Sequence, residues 1–227
     1  VVAKRWHLAT IQERSRTAAG GGVPPVIRRM TVLMSCDSMP ASLKGYLLIA
    51  ARALRDSNFL RSVVLMIEHS PEGAMGLIIN HPSDTPLKDA ISQHFEDFQD
   101  DRLLYVGGPV ERSSLLLLHN VDSLSEESSS ILPDVYIGGS TDSFAEVIRL
   151  CNEGDEALRF RVFSGYSGWG PGQLEGEIER NDWLSLPAES DLVFSEDPYS
   201  VWDEAVTKFR KAHPIVSAPK ANDPGLN

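Results

Sequence analysis

Short aliphatic runs recur along the chain from Gly45 onward: GYLLIA (45–50), SVVLMIEH (62–69) and MGLIIN (75–80). Rich in β-branched and aliphatic side chains and bounded by turn formers, they predict strands. The second and third are joined by HSPEGA, whose Ser70, Pro71 and Gly73 favour a turn, so an antiparallel hairpin is expected. In TPLKDAISQHF the residues Leu87, Ile91 and Phe95 fall at i, i+4 and i+8 and predict a helix. LLYVGG (103–108) and LLLLHN (115–120) return to strand character. LYVGGPV (104–110) is echoed by VYIGGST (135–141), each ending an aliphatic strand in a double glycine. After the second, Ser140 or Thr141 caps a helix with Asp142 in its first turn and Phe144, Val147, Ile148 and Cys151 along one face. Between the two echoes, DSLSEESSS (122–130) reads as a polar, mobile surface loop.

LRFRVF (158–163) alternates Leu158, Phe160 and Val162 against Arg159 and Arg161, the period of a half-buried strand. It leads into GYSGWGPGQLEGEI (165–178), where the glycines predict a turn and Pro171, Leu174 and Ile178, with early Glu175 and Glu177, a short helix closed by Asn181. Gly176 costs that helix about 1 kcal/mol. WLSLPA and DLVF (191–194) read as two further strands. The last helix takes Asp197 as cap and Pro198 at its start, with Trp202, Ala205, Val206 and Phe209 on one face and Lys208, Arg210 and Lys211 at its end. Strands outnumber helices and come in adjacent runs, so the fold class is α+β with a mixed, mostly antiparallel sheet; the βαβ alternation of a doubly wound fold is absent.

Composition narrows the picture. With 227 residues, 42% of them hydrophobic, the chain supports one sizeable core plus tails. The formal charge is −11, but six basic side chains against Glu13 alone make the first 35 residues +5, which leaves −16 for the remainder. An acidic body repels phosphate backbones, which disfavours direct nucleic-acid binding. Two isolated cysteines, Cys36 and Cys151, fit a reducing cytoplasm, and no stretch has the length of a membrane span. Residues 1–40, with Gly20 to Gly22, Pro24 and Pro25, read as a disordered basic extension: an overextended gene start or inert tail, a basic interaction arm, or a transit peptide. Residues 41–212 are expected to form a single domain and 213–227 a flexible tail.

Candidate chemistry concentrates in two places. Around GWGPG the dinucleotide fingerprint fails, because Gln173 stands where its third glycine belongs; no GK[ST] occurs, and the nucleophile elbow at Gly165 to Trp169 lacks its last glycine. Two readings remain: a turn anchored in the core by its rings, or a pocket with Tyr166 and Trp169 as walls and the helix start and Gln173 amide as donors. In the second place, 52–82, Asp56, Ser57 and Asn58 make a polar turn into a buried strand that Glu68 and His69 leave. His69 and His81 are a hairpin apart and Glu68 points to the opposite face, so no metal site is expected; no cofactor is expected either. His69 is read either as a general base at a strand end or as a histidine hydrogen-bonded to a neighbouring loop.

GYLLIAARALRDSNFLRSVVLMIEHSPEGAMGLIIN, YVGGPV with its following LLLLH, and GYSGWGPGQLEGEIERNDWL appear in this order and together closely resemble the AlgH/YqgE family of bacterial proteins over about residues 43–207. The resemblance implies a cytosolic single domain with a mixed, partly barrel-like sheet flanked by helices, and the regulatory role, in alginate production or transcription, attached to some members. The family's motif positions fall here on Asp56, Asn58, Phe59, Ser62, Glu68, His69, Gly76 and Asn80, on Gly107, Gly108 and Pro109, and on Gly165, Tyr166, Gly168, Trp169, Gly170, Gln173, Leu174, Glu177 and Trp183. Ala53 and Ser167 depart from it, where members commonly carry proline and alanine.

The resulting expectation is a noncatalytic regulatory or adaptor domain that binds a small polar ligand or a protein. Its site is a hollow shared by the 165–173 turn, the 107–109 turn and the His69 region, with Asn58, Ser62, His69, Gly107, Gly108, Tyr166, Trp169 and Gln173 as binding residues. The alternatives are an enzyme using His69 as acid or base with Glu68 or Asp56, and a direct transcriptional regulator, which the acidic body opposes.

Overall fold

The computed structural model describes residues 40–95, 98, 100–124 and 130–214, so the expectations for the basic extension, for residues 125–129 of the serine-rich loop and for the tail from 215 lie outside the described residues. Among those described, the strands are β1 (Tyr46–Ala50), β2 (Val63–Ser70), β3 (Gly73–Ile78), β4 (Pro82–Pro86), β5 (Leu103–Val106), β6 (Val110–His119), β7 (Ser130–Leu132), β8 (Val135–Gly138), β9 (Phe160–Trp169) and β10 (Trp183–Pro187). The helices are α1 (Leu87–Ile91), α2 (Thr141–Asn152), α3 (Gln173–Glu179), α4 (Ser190–Val193) and α5 (Val201–Ala212). No helix among them is long and apolar enough to cross a membrane.

The strands form one curled sheet in the order β10–β1–β2–β3–β9–β6–β8–β7, with β4 on β5 and β5 on β9. All pairings are antiparallel except β5 with β9, which makes the sheet mixed and, with its helices, the fold α+β. The expected hairpin is β2–β3, with an irregularity between Met66 and Glu68.

β9 organises the sheet. Its last residues pair with β3, Ala74 opposite Trp169 and Gly76 opposite Ser167, while its first half pairs with β6. On the edge of β9 that β3 occupies further along, β5 enters as a wedge, Tyr105 beside Phe163 and Val106 beside Ser164. The three backbones meet at Gly107: its N–H donates to Ser164 O at 3.0 Å, and its carbonyl accepts from Ile78 N at 2.9 Å and Ser167 Oγ at 3.2 Å. A β-carbon on Gly107 would lie 2.2 Å from Gly165 O, and one on Gly108 2.2 Å from the Tyr166 carbonyl carbon, so side chains cannot pass here. Gly165, at φ +69°, bends β9 at the same point.

Helices cover both faces of the sheet, which is why β1 and β2 read as continuous apolar runs. α4 and α5 pack Leu192, Val193, Trp202, Ala205 and Val206 on Leu47, Leu65 and Leu77. α3 places Leu174 on the opposite face with Leu48, Val64, Trp169 and Trp183. α1 and α2 cover Leu117, Phe160 and Val162. α2 begins as expected, with Ser140 Oγ accepting from Ser143 N at 3.1 Å.

Several elements differ from the sequence reading. DLVF is not a strand: residues 190–193 turn into α4, with Phe194 N bonded to Ser190 O, because β10 already ends at Pro187 and a four-residue apolar run carries no period. The glycine-rich stretch is no turn up to Trp169; it continues β9, and Gly165 serves the close crossing rather than a reversal. Arg161 is not on a wet face: the α4–α5 connection covers it, and its guanidinium donates to the carbonyls of Ile79, Val193 and Ser195 while lying 4.7 Å over the Tyr105 ring. α1 stops at Ile91, short of Phe95. α5 starts at Val201, because Asp197 Oδ1 accepts from Tyr199 N and so caps a preceding turn instead of the helix.

The crossing yields a direct test. Gly107→Ala is expected to lose more than about 3 kcal/mol of stability or to fail to fold, whereas Gly139→Ala, whose new β-carbon meets only Leu116 Cδ2 at 4.0 Å, stays within about 0.5 kcal/mol of the parent in urea unfolding.

Candidate functional site

A cleft of about 520 Å³ opens where the crossing faces α5. Its lining comes from four places in the chain: Ser57, Asn58 and Arg61 before β2, the segment from Ile78 to Pro82, the segment from Val106 to Arg112, and Tyr199 with Trp202 at the start of α5.

Local chemistry fixes the first of these. Asp56 Oδ1 accepts from Asn58 N at 2.9 Å and from Asn58 Nδ2 at 3.0 Å, a tight turn with its own side-chain brace. The buried Asn80 follows: Oδ1 accepts from Val63 N at 2.8 Å, and Nδ2 donates to Arg61 O at 2.9 Å. That grip holds Arg61 at φ +53°, a backbone conformation that costs a non-glycine residue about 1–3 kcal/mol. Its guanidinium lies 4.6 Å over the Trp202 ring and pairs with Asp203. Trp202 is itself anchored, Nε1 donating to Ala50 O at 2.9 Å. In β6, Glu111 adopts φ +47° just before the lining residue Arg112, where β6 changes register against β9. Among the described residues Arg112 has no ion-pair partner.

His81, also on the lining, has Nε2 3.3 Å from Ser62 Oγ, and burial pushes its pKa below the ordinary histidine value, keeping the ring neutral. Ser62 is fully buried and supports that ring. The charged side chains on the cleft lining are therefore two arginines, with no carboxylate among them. Residues 40–214 as a whole carry 14 Lys and Arg against 29 Asp and Glu, a charge of −15.

A second, shallower groove of about 500 Å³ runs beside the β2–β3 hairpin and is lined by Ser42, Lys44, Glu68, His69, Glu72 and Trp169, among others. The His69 side chain is only 7% exposed. Its Nδ1 accepts from Leu43 N at 3.0 Å, so Nε2 carries the hydrogen and donates to Glu175 Oε1 at 3.0 Å. Both ring nitrogens are thereby engaged in tying the segment before β1 to β2 and α3. Trp169 is 6% exposed, near-parallel to Phe59 and edge-on to Trp183. Glu177 Oε2 accepts from both indoles, Trp169 and Trp183, at 2.9 Å, and Oε1 from Gln173 Nε2 at 3.0 Å. Gln173 Oε1 in turn accepts from Gly170 N at 3.1 Å, and α3 starts only after Gly172 in the left-handed region.

The residues singled out in the sequence thus fall into separate places. Asn58 and Gly108 line the larger cleft, and His69 and Trp169 the second groove, with no lining residue shared. Ser62 and Gly107 lie behind the surface, Tyr166 is half-buried, and Gln173 is bonded at both ends of its amide. The expected single hollow is not built, because β9 is extended from Gly165 to Trp169 and carries the rings away from the crossing at about 3.3 Å per residue. Arg61, Arg112, Tyr199 and Trp202 escaped the sequence reading. The available signal was an arginine at the edge of each of two glycine- or turn-bounded strands within an acidic body.

Residues 47–213 match the model of the AlgH-like family. Among relatives, a UPF0301 protein of Chlorobium chlorochromatii is 36% identical over 184 residues, 81% of this chain and 94% of that protein. A UPF0301 protein of Rhizobium meliloti is 35% identical over 175 residues, 72% and 85% of the two chains. Among solved structures, the solution structure of the AlgH protein from Pseudomonas aeruginosa superposes with a TM-score of 0.60 at 30% identity, covering 84% of this chain and 98% of that one. A crystal structure of a Corynebacterium diphtheriae protein gives a TM-score of 0.62 at 26% identity, covering 75% and 88%.

Two outcomes are expected of this geometry. Glu177→Ala leaves two indole N–H groups without an acceptor and should cost about 2–4 kcal/mol in urea unfolding, against under about 0.5 kcal/mol for the exposed Glu179→Ala. Stability should also fall with acidification: burial holds the folded pKa of His81, and likewise of His119, below the unfolded value of 6.5. Between those values the unfolded chain takes up protons that the folded chain refuses, so the contribution is whole above pH ~6.5 and shrinks as pH falls towards the folded value. His81→Gln should flatten this slope in unfolding series between pH ~7.5 and ~5.5.

Proposed function

The chain belongs to the AlgH-like family, and from that premise we propose that its domain is a noncatalytic regulatory or adaptor module whose larger cleft binds a small anion. The observation that carries this reading is the pair of arginines, Arg61 and Arg112, as the charged groups on the lining of a cleft in a body of charge −15. Acidic surroundings repel extended polyanions, but two guanidinium groups in a concave site create a local positive potential that a small anion can enter. The planar guanidinium fork matches carboxylate and phosphate oxygens.

The backbone supports the same reading. Strained non-glycine residues persist where the surroundings over-determine them, and here Arg61 itself and Glu111, next to Arg112, are both left-handed. The strain sets the backbone from which both arginines reach the cleft before any ligand arrives, which lowers the ordering cost of binding. The Arg61–Asp203 pair does not oppose this, since the side chains are 55% and 60% exposed and a pair so open contributes about 0–1 kcal/mol. The noncatalytic part rests on the histidines: both nitrogens of His69 are engaged within the protein, and the His81 ring is held by a serine that is itself fully buried. We place the module in the reducing cytoplasm on the basis of its cysteine usage.

Titration calorimetry with inorganic phosphate and with malonate tests the reading. Binding should weaken as salt rises, and Arg61→Gln and Arg112→Gln should each lose about tenfold or more in affinity, while Lys44→Gln at the second groove leaves it unchanged. Failure of both anions to bind, or binding indifferent to the two arginines in variants whose circular dichroism is native, overturns it.

A further inference from the structure

The cleft also carries apolar features that a bare anion would leave unused. Its lining includes Ile78, Pro82, Val106 and Pro109. Tyr199 at its end is 74% exposed, the most exposed large hydrophobic side chain among the described residues, and Leu60, next to Arg61, is 64% exposed. Tyr199 forms no ring–ring pair with any described residue, although its backbone is fixed: Asp197 Oδ1 accepts from its N–H at 3.0 Å, and Ser200 Oγ donates to Asp197 O at 3.0 Å. Arg161 holds the same connection from beneath through the carbonyls of Val193 and Ser195. A wet aromatic ring on a braced backbone, at the rim of a cleft walled by two arginines, presents a π-face without a partner.

Resting on the anion reading, we propose that the ligand of this cleft is an anion bearing a planar aromatic ring: the arginines take the charged group, and Tyr199 stacks on the ring. An aromatic ring offers Tyr199 a complementary quadrupole and a flat contact that an aliphatic group of equal size does not. The cleft, at about 520 Å³, has the size of small-molecule pockets. Asn58, on the same lining, donates its side-chain amide to Asp56 and keeps its side-chain oxygen free of described partners, which leaves an acceptor for a polar edge on such a ring.

The test compares inorganic phosphate, cyclohexyl phosphate and phenyl phosphate on the full chain by titration calorimetry. Phenyl phosphate should bind at least about fivefold more tightly than cyclohexyl phosphate to the parent protein and to Tyr199→Phe, and the two should become equal in Tyr199→Ala. All three should weaken together in Arg61→Gln and Arg112→Gln. Equal affinities in the parent, or a phenyl preference that survives in Tyr199→Ala, overturn the aromatic assignment while arginine-dependent phosphate binding continues to support the anion site. Absence of binding by all three phosphates overturns both.

Discussion

Everything in this domain is arranged around one backbone crossing. At Gly107 the chain passes so near β9 that a single added carbon would sit 2.2 Å from the Gly165 carbonyl oxygen. The crossing is held by hydrogen bonds that run to both sides, from Gly107 to Ser164 on β9 and from Ile78 at the end of β3 to Gly107. Those bonds make β5 a wedge between two strands that are neighbours a few residues away, and a sheet split by a wedge must curl. The curl lets helices cover both faces and brings the start of α5 over the place where the strands part.

The larger cleft is a consequence of that split. Where β3 leaves β9, the polypeptide following it must hydrogen-bond elsewhere; it does so through Val106 N to His81 O and through the Asn80 side chain. Asn80 is thus both a substitute for lost sheet pairing and the clamp on Arg61. The left-handed backbone at Arg61 and Glu111 follows from the same departure from regular pairing. Strain, concavity and positive charge share one structural cause, which is why they coincide.

Much of the framework was legible in the sequence. Aliphatic runs with turn formers between them located β1, β2, β3 and β10, and Ser140 with Phe144, Val147 and Ile148 located α2, because those signals are local. Two of the misreadings are cases in which a distant segment decided. Arg161 alternates like a solvent-facing residue, yet the connection after α4 covers it and replaces water with three carbonyls. The glycines of 165–170 look like a reversal when read locally, and only the presence of the crossing segment shows that the strand continues and that Gly165 serves close approach. The opening of the cleft was illegible for the same reason, since Arg61 and Arg112 come to one cleft only through strand pairings between distant segments.

The contrast between His69 or Trp169 and the two arginines has a general basis. A polar group that enters a low-dielectric interior must find a partner, so a sequence stretch dense in indoles, amides, a carboxylate and an imidazole is first of all a set of mutual obligations. Here they are discharged internally: Glu177 serves two indoles and an amide, and His69 serves a backbone N–H and Glu175. Groups available to a ligand are those that the fold leaves unsatisfied without penalty, and these must be partly exposed. Arg112 and a wet tyrosine meet that condition, and Arg61 comes near it with only an exposed pair to Asp203, although none of them belongs to a recognisable motif. The chemistry on offer is therefore read from what the folded chain does not consume, and in this domain that points away from the tryptophan- and glycine-rich seam and towards the arginine-walled opening at the sheet's fork.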